Sequence, residues 1–161
     1  MNSVSVYLAL GSNLGRREQY LRAGIDGLAA RGIRIISCAS VYSTEPQEFP
    51  DQPWFLNTAL QAATDLDARQ LLEVCLAVEK DNHRLRDSSK GPRTLDIDII
   101  FYGNKILHEP GLTIPHPSFA FRRFVLEPLV EIAPDFEDPI SGKTVRQLLE
   151  ECTDESSVRR V

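Results

Sequence analysis

Asp96 and Asp98 stand two residues apart in Leu95-Asp96-Ile97-Asp98-Ile99-Ile100-Phe101, a run apolar enough to form a strand. Successive strand side chains alternate between faces, so both carboxylates point to one side from Cα atoms about 6.6 Å apart. Alternation places Ile100 with them, and Leu95, Ile97, Ile99 and Phe101 on the opposite face. Partly burying such a pair is costly unless cations neutralise it. Hard oxygen ligands suit Mg²⁺, which takes one or two carboxylates and completes its shell with water and phosphate oxygens. The plain alternative is an exposed edge strand with two solvated aspartates. Asp-x-Asp is common, so the pair marks a metal candidate and fixes no reaction.

The segment His83-Arg84-Leu85-Arg86-Asp87-Ser88-Ser89-Lys90-Gly91-Pro92-Arg93 runs straight into this pair and holds four formal positive charges against one negative. Arginine's planar fork matches phosphate oxygens, and its charge is not tuned away. Such a run is often just a solvated loop, but carboxylates for metal beside cations for phosphates are the parts that phosphoryl transfer needs. Gly11-Ser12-Asn13-Leu14-Gly15 opens a helix after a strand, where backbone N–H groups can meet an anion. It fits neither common glycine-rich nucleotide motif and reads first as a tight turn. Asn57 shares a strand face with Phe55, so one can hydrogen-bond a heteroaromatic ring while the other stacks on it. His116 is flanked by Pro115 and Pro117, as a positioned loop residue would be. His83 and His108 have no identifiable partner.

The elements that must carry these residues follow from periodicity. Val4, Val6, Leu8 and Leu10 alternate as a strand, broken by Gly11. Leu21, Gly24, Ile25 and Leu28 share a helical face up to about Ala30. Ile33–Ser43 is β-branched enough for a second strand, and the proline-rich stretch Thr44–Pro53 reads as a loop. Phe55–Thr64 is the third strand. Asp67 with Gln70 forms a capping box for a helix ending near His83. Thr94–Tyr102 is the strongest strand, Ile106–Ile114 a short strand or hairpin arm, and Thr144 with Gln147 starts another helix. The order β-α-β-β-α-β points to an α+β, ferredoxin-like antiparallel sheet with helices on one face and appended C-terminal elements. Residues 1–161 form a single domain without internal repeats.

The chain has 161 residues, 18 Lys and Arg against 23 Asp and Glu, and a net charge of −5, which argues against a duplex-DNA or polyanion binder. No apolar run approaches the roughly 20 residues of a membrane span, and the N-terminus lacks a basic signal region. Cys38, Cys75 and Cys152, among apolar neighbours, read as buried reduced thiols. A soluble, cytoplasmic protein is expected.

The chain resembles the 6-hydroxymethyl-7,8-dihydropterin pyrophosphokinase family. The resemblance rests on Gly91-Pro92-Arg93-Thr94-Leu95-Asp96-Ile97-Asp98-Ile99, supported by Leu10-Gly11-Ser12-Asn13-Leu14-Gly15, Phe55-Leu56-Asn57, Ile114-Pro115-His116-Pro117 and Glu131-Ile132-Ala133-Pro134. These pieces stand in the family's order across nearly the whole chain. The resemblance implies transfer of pyrophosphate from ATP to the pterin hydroxymethyl oxygen, with AMP leaving, and a protein expected to act as a monomer. It implies two Mg²⁺ ions on Asp96 and Asp98, and charge neutralisation by Arg84 and Arg93. It implies nucleotide contacts at Glu79, Arg84, Arg93, Ile99, Thr113, His116 and Arg122. It implies pterin contacts at Thr44, Pro46, Phe55, Asn57 and Phe124, with the two rings sandwiching the bicycle. Lys90 stands where many members have Trp, and Pro117 where an aromatic residue is often found. Without the resemblance, another Mg²⁺-dependent phosphoryl or nucleotidyl transferase, or a non-catalytic ferredoxin-like binding module, would remain open.

Overall fold

The computed structural model describes residues 3–46, 51–83 and 94–161. Its elements are β1 (Val4–Ser12), α1 (Arg17–Ala30), β2 (Arg34–Cys38), β3 (Tyr42–Thr44), β4 (Phe55–Thr64), α2 (Ala68–Asp81), β5 (Asp96–Tyr102), β6 (Leu107–Glu109), β7 (Leu112–Ile114), α3 (Arg123–Ile132), α4 (Val145–Glu151) and β8 (Val158–Arg160). The result is a mixed α/β fold whose main sheet runs β5-β1-β4-β3-β8, with β2 also paired to β4 and every pairing antiparallel. β6 and β7 form a separate hairpin.

Two cores lie on the two faces of the sheet. Val6, Leu8 and Leu10 of β1 pack with Leu21 and Leu28 of α1 and with Leu71, Cys75 and Val78 of α2. On the other face, Tyr7, Ala59, Ile100 and Phe101 pack with Val125, Leu126 and Leu129 of α3 and with Val145 and Leu148 of α4. Helices therefore cover both faces, where periodicity had suggested one. Of this second layer α4 was expected from Thr144 and Gln147, whereas α3, which carries Pro128 in its interior, was not. Its apolar face holds the helix together regardless.

Strand alternation also fails at one point that matters. On β5, Phe101 pairs with Tyr7 but Ile99 pairs with Leu8, so Ile100 is an inserted bulge residue. Ile100 and Phe101 consequently share the second core, while Ile99 stays in the first. The expected grouping of Phe101 with Ile97 and Ile99 is thus corrected; that of Asp96 with Asp98 is unaffected, since both precede the bulge.

The expected strand Ile33–Ser43 is two strands. Between them Ser40 turns its N–H and Oγ to Glu131 Oε2, at 2.9 and 3.0 Å, instead of continuing the ladder. β1 runs through Gly11 to Ser12, two residues past its expected end, because both residues still pair with β4. The expected loop Thr44–Pro53 gives up Thr44 to β3, and its residues 47–50 lie outside the described ones. Both capping boxes form: Asp67 and Thr144 each accept the backbone N–H of a glutamine, whose side chain returns the bond. Of the cysteines, Cys75 is buried and Cys152 intermediate, but Cys38 is exposed at the end of β2.

Candidate active site

Cross-strand register assembles the site. Asp96 lies opposite Gly11 and Asp98 opposite Ala9. Gly11 in turn lies opposite Asn57, Asn57 opposite Tyr42, and Phe55 opposite Thr44. Directly opposed residues share a face, so the aspartates, Asn57, Phe55 and Thr44 all stand on the side that also carries the second core. Neighbouring strands are about 4.8 Å apart, which sets Asp96 and Asn57 about 10 Å apart across the bare backbone of Gly11.

The space beside Gly11 is taken by the Asn57 amide. A Cβ at this position would fall 2.4 Å from Asn57 Oδ1, too close for any real contact. The Asn57 amide occupies that space and donates from Nδ2 to Thr44 Oγ1 at 2.6 Å. Asn57 and Thr44 are both buried, Pro46 is buried just beyond β3, and the Phe55 ring is half-buried beside them. Phe124 is half-buried near the start of α3, with the Arg122 guanidinium 5.6 Å from its ring centroid. Arg122 and Phe124, expected in different subsites, are thus stacked on each other.

Several residues to which the sequence assigned no role of their own hold this arrangement. Asn13 donates to Gln52 Oε1 at 2.8 Å and to the Pro53 carbonyl at 3.1 Å, and Arg17 donates to the Trp54 carbonyl at 2.8 Å. These bonds tie the glycine-rich turn to the approach into Phe55. Tyr42 donates to Glu131 Oε1 at 2.6 Å, which fixes β3 against α3. Burial, the Glu131 hydrogen bond and its charge together push the Tyr42 hydroxyl up to about 12. Burial alone would raise Glu131, but the bonds from Tyr42 and Ser40 and the nearby Arg160 hold it below its ordinary value. Only the motif Glu131-Ile132-Ala133-Pro134 hinted at this residue.

His116 approaches the aspartates from the chain after β7. Its backbone N–H donates to the Ile100 carbonyl at 3.1 Å, so the bulge residue also anchors the histidine. Nδ1 accepts from the Ser118 N–H at 3.1 Å, and Nε2 lies 4.0 Å from Asp98 Oδ2. Burial, followed by the Arg122 charge, pushes His116 down to about 4 against the opposing pull of Asp96. The imidazole is therefore neutral near pH 7, and with Nδ1 accepting, its proton sits on Nε2 and faces Asp98.

The remaining expected positions divide. Glu79 is buried in α2 and accepts the Ile97 N–H on Oε2 at 2.8 Å. Its neighbour Cys75 is raised to about 12 by burial, then by Glu79 and Asp98. The Ile99 side chain belongs to the first core, leaving its backbone as the part able to meet a ligand. Thr113 sits half-buried in β7 opposite His108. Arg84 and Arg93, with the Lys90 and Gly91-Pro92 positions, lie outside the described residues. A cleft of about 530 Å³ bordered by Glu18, Arg22, Asp26, Cys38 and Thr58 collects none of the expected site residues.

Among the described residues, no group of three or more His, Cys, Asp or Glu side chains is placed to hold a metal ion. Two carboxylates on one face are nevertheless a donor set that fits Mg²⁺, whose remaining positions go to water and phosphate oxygens. The neutral Nε2–H of His116 is a donor toward that face and adds no competing ligand.

Comparison with known proteins places the chain in a family. The profile of the 7,8-dihydro-6-hydroxymethylpterin-pyrophosphokinase (HPPK) family matches residues 7–134. A 2-amino-4-hydroxy-6-hydroxymethyldihydropteridine pyrophosphokinase of Methylorubrum extorquens is 42% identical over 156 residues, 96% of this chain and 97% of the relative. Its namesake in Synechocystis is 44% identical over 149 residues, 91% of this chain and 76% of the relative. The folic acid synthesis protein fol1 of Pneumocystis carinii is 37% identical, and the aligned part spans 21% of that longer protein. In fold, wild-type Plasmodium falciparum HPPK-DHPS, crystallised with pteroate, superposes with a TM-score of 0.75 at 15% identity, over 93% of this chain and 42% of that one. The chain belongs to the 7,8-dihydro-6-hydroxymethylpterin-pyrophosphokinase family.

Proposed function

We propose that this chain transfers the pyrophosphoryl group of ATP to the hydroxymethyl oxygen of 6-hydroxymethyl-7,8-dihydropterin, releasing AMP and the pterin diphosphate, as a step of folate biosynthesis. The carrying observation is the single sheet face on which Asp96 and Asp98 stand beside Asn57 and Thr44 across Gly11. It supports reading the aspartates as a phosphate-side cation site and Asn57 with Thr44 as the neighbouring position for a flat, hydrogen-bonding bicycle. We read the β1-α1-β2-β4-α2-β5 portion as a ferredoxin-like core to which α3, α4 and β8 are appended, all within one domain.

Asp96 and Asp98 would hold Mg²⁺, two ions being expected. Bound there, Mg²⁺ would supply neutralisation of phosphate charge. The chain's own residues supply alignment. Asn57, braced by Thr44, presents its amide to the pterin edge, and Phe55 and Phe124 offer ring faces, with Pro46 closing the side. His116 and Arg122, with Thr113, Glu79 and the Ile99 backbone, form the nucleotide side. His116 keeps its Nε2 proton and serves as a donor, not a base. Arg84 and Arg93 are assigned to the charge on the transferring group, where most of the barrier lowering arises. We read the protein as a cytoplasmic monomer without a nucleic-acid partner; among the described residues, no helix is long and apolar enough to cross a membrane.

The test supplies ATP, Mg²⁺ and the hydroxymethyl-dihydropterin and identifies the nucleotide released. AMP in step with pterin diphosphate supports the reading; ADP in its place overturns it.

A further inference from the structure

We propose that Asp154 is a positioning residue for the pterin pocket, clamping two of its walls, β3 and the start of α3, to each other. The proposal rests on the assignment of Thr44 and Phe124 to those walls. The family match ends at residue 134, so the segment that does this lies beyond it.

Arg123 is the first residue of α3, and the preceding Arg122 provides no side-chain cap. Its backbone N–H is one of those that a helix leaves without an internal partner. Asp154 Oδ2 accepts that N–H at 2.9 Å, placing a carboxylate at the positive end of the helix. The Asp154 backbone carbonyl accepts Arg123 Nε, also at 2.9 Å. The other carboxylate oxygen turns along the chain: Oδ1 accepts the Ser156 N–H at 2.9 Å and its Oγ–H at 2.6 Å.

From there the chain reaches β3 without slack. Ser157 N–H donates to Glu45 Oε1 at 2.9 Å, and Glu45 N–H donates back to the Ser157 carbonyl at 3.0 Å. Val158 then pairs with Thr44 and Arg160 with Tyr42. Phe124 follows Arg123 directly, and Thr44 directly precedes Glu45. One short stretch, 154–160, therefore joins the residue before the Phe124 wall to the residue after the Thr44 wall. β3 has only three residues, and β8 covers the edge that β4 leaves open. Among the described residues, the hydrogen bonds of Asp154 go to Arg123 and Ser156, neither of which is an expected substrate position; the clamp acts by fixing the separation of two residues that are.

The experiment measures KM for each substrate, kcat and thermal melts for Asp154→Ala, Asp154→Asn and Phe124→Ala. Asp154→Ala should raise the pterin KM roughly tenfold through sub-ångström misplacement of a wall, with the ATP KM within about twofold of the parent. Asp154→Asn retains one acceptor oxygen and should give an intermediate rise. If Asp154→Ala does not melt cooperatively, the same split in Asp154→Asn decides. An unchanged pterin KM, or a parallel loss for both substrates that tracks a lowered Tm, overturns the clamp. Phe124→Ala separates the two layers of the argument. Should it leave the pterin KM untouched, the wall assignment falls and the clamp with it. Should it raise the pterin KM while Asp154→Ala does not, only the clamp falls.

Discussion

Asn57 rests its amide on Gly11: the oxygen Oδ1 fills the volume where a side chain at position 11 would begin, 2.4 Å from an ideal Cβ. The nitrogen of the same amide donates one hydrogen to Thr44 Oγ1. An amide braced by that bond keeps one orientation, which is what recognition of a ring edge by hydrogen bonds requires. Strand pairing alone brings this about, since Gly11 and Asn57 are direct partners in the β1–β4 ladder.

Gly11→Ala is therefore expected to act through Asn57. The backbone at Gly11 is outside the left-handed region, so alanine is admitted by the chain and refused only by the amide. Displacing Asn57 should raise the pterin KM by about tenfold or more, while overpacking costs about 1–3 kcal/mol of stability. Steady-state kinetics of Gly11→Ala, Asn57→Ala and the double variant check it. Removing Asn57 first should make Gly11→Ala nearly silent; strict additivity would show that the contact is not the cause.

Asp98→Ala should remove turnover and spare the fold. The Asp98 side chain is 36% exposed and contributes to neither core. A loss of kcat on the order of 10³ or more matches the response of phosphoryl transfer to lost charge stabilisation. Thermal melts with and without Mg²⁺ and ATP analogue add a second readout. Ligand-induced stabilisation seen in the parent should vanish in the variant while the unliganded Tm stays put. A collapsed unliganded melt would make the carboxylate structural.

Local features were the legible ones. The β4 limits Phe55–Thr64, both capping boxes and the facing of Asp96 with Asp98 all depend on residues within a few positions of each other. What escaped depends on remote partners. The Ile100 bulge is a relation between β5 and β1, and no pattern within β5 announces it. The expected second strand breaks at Ser40, whose backbone N–H goes to Glu131, about ninety residues away. β8, which carries Arg159 and Arg160, pairs only with β3, an edge more than a hundred residues away in the chain. The site follows the same rule. Its aspartates and aromatic residues could be named in advance, whereas Asn13, Tyr42, Glu131 and Asp154 act only through partners that folding brings to them.

The capping boxes offer a measurement of local stability away from the site. Asp67→Ala and Thr144→Ala each delete the acceptor for a glutamine N–H at 2.8 and 3.2 Å, respectively. Each should cost about 1 kcal/mol in denaturant unfolding, with kinetic constants unchanged. Comparable losses in both would mark ordinary caps. A change in substrate KM in either would mean that the helix ends reach the site.

His116 sets a pH signature whose sign can be worked out. Its folded value of about 4 lies below the ordinary 6.5, so between those two values the unfolded chain binds a proton that the folded chain refuses. Unfolding is then favoured as pH falls: this contribution is complete above about pH 6.5 and is lost on going down through about pH 4. A difference of roughly 2.5 units corresponds to at most about 3 kcal/mol. Urea unfolding without divalent cations, from neutral pH to about 4.5, should show the parent losing stability more steeply than His116→Gln. Parallel losses would assign the slope to carboxylates elsewhere. The same neutrality fixes what His116 does at working pH. It holds one proton on Nε2 toward Asp98 and has none to gain or lose near neutrality, so no inflection in kcat/KM between about pH 6 and 8 should trace to it.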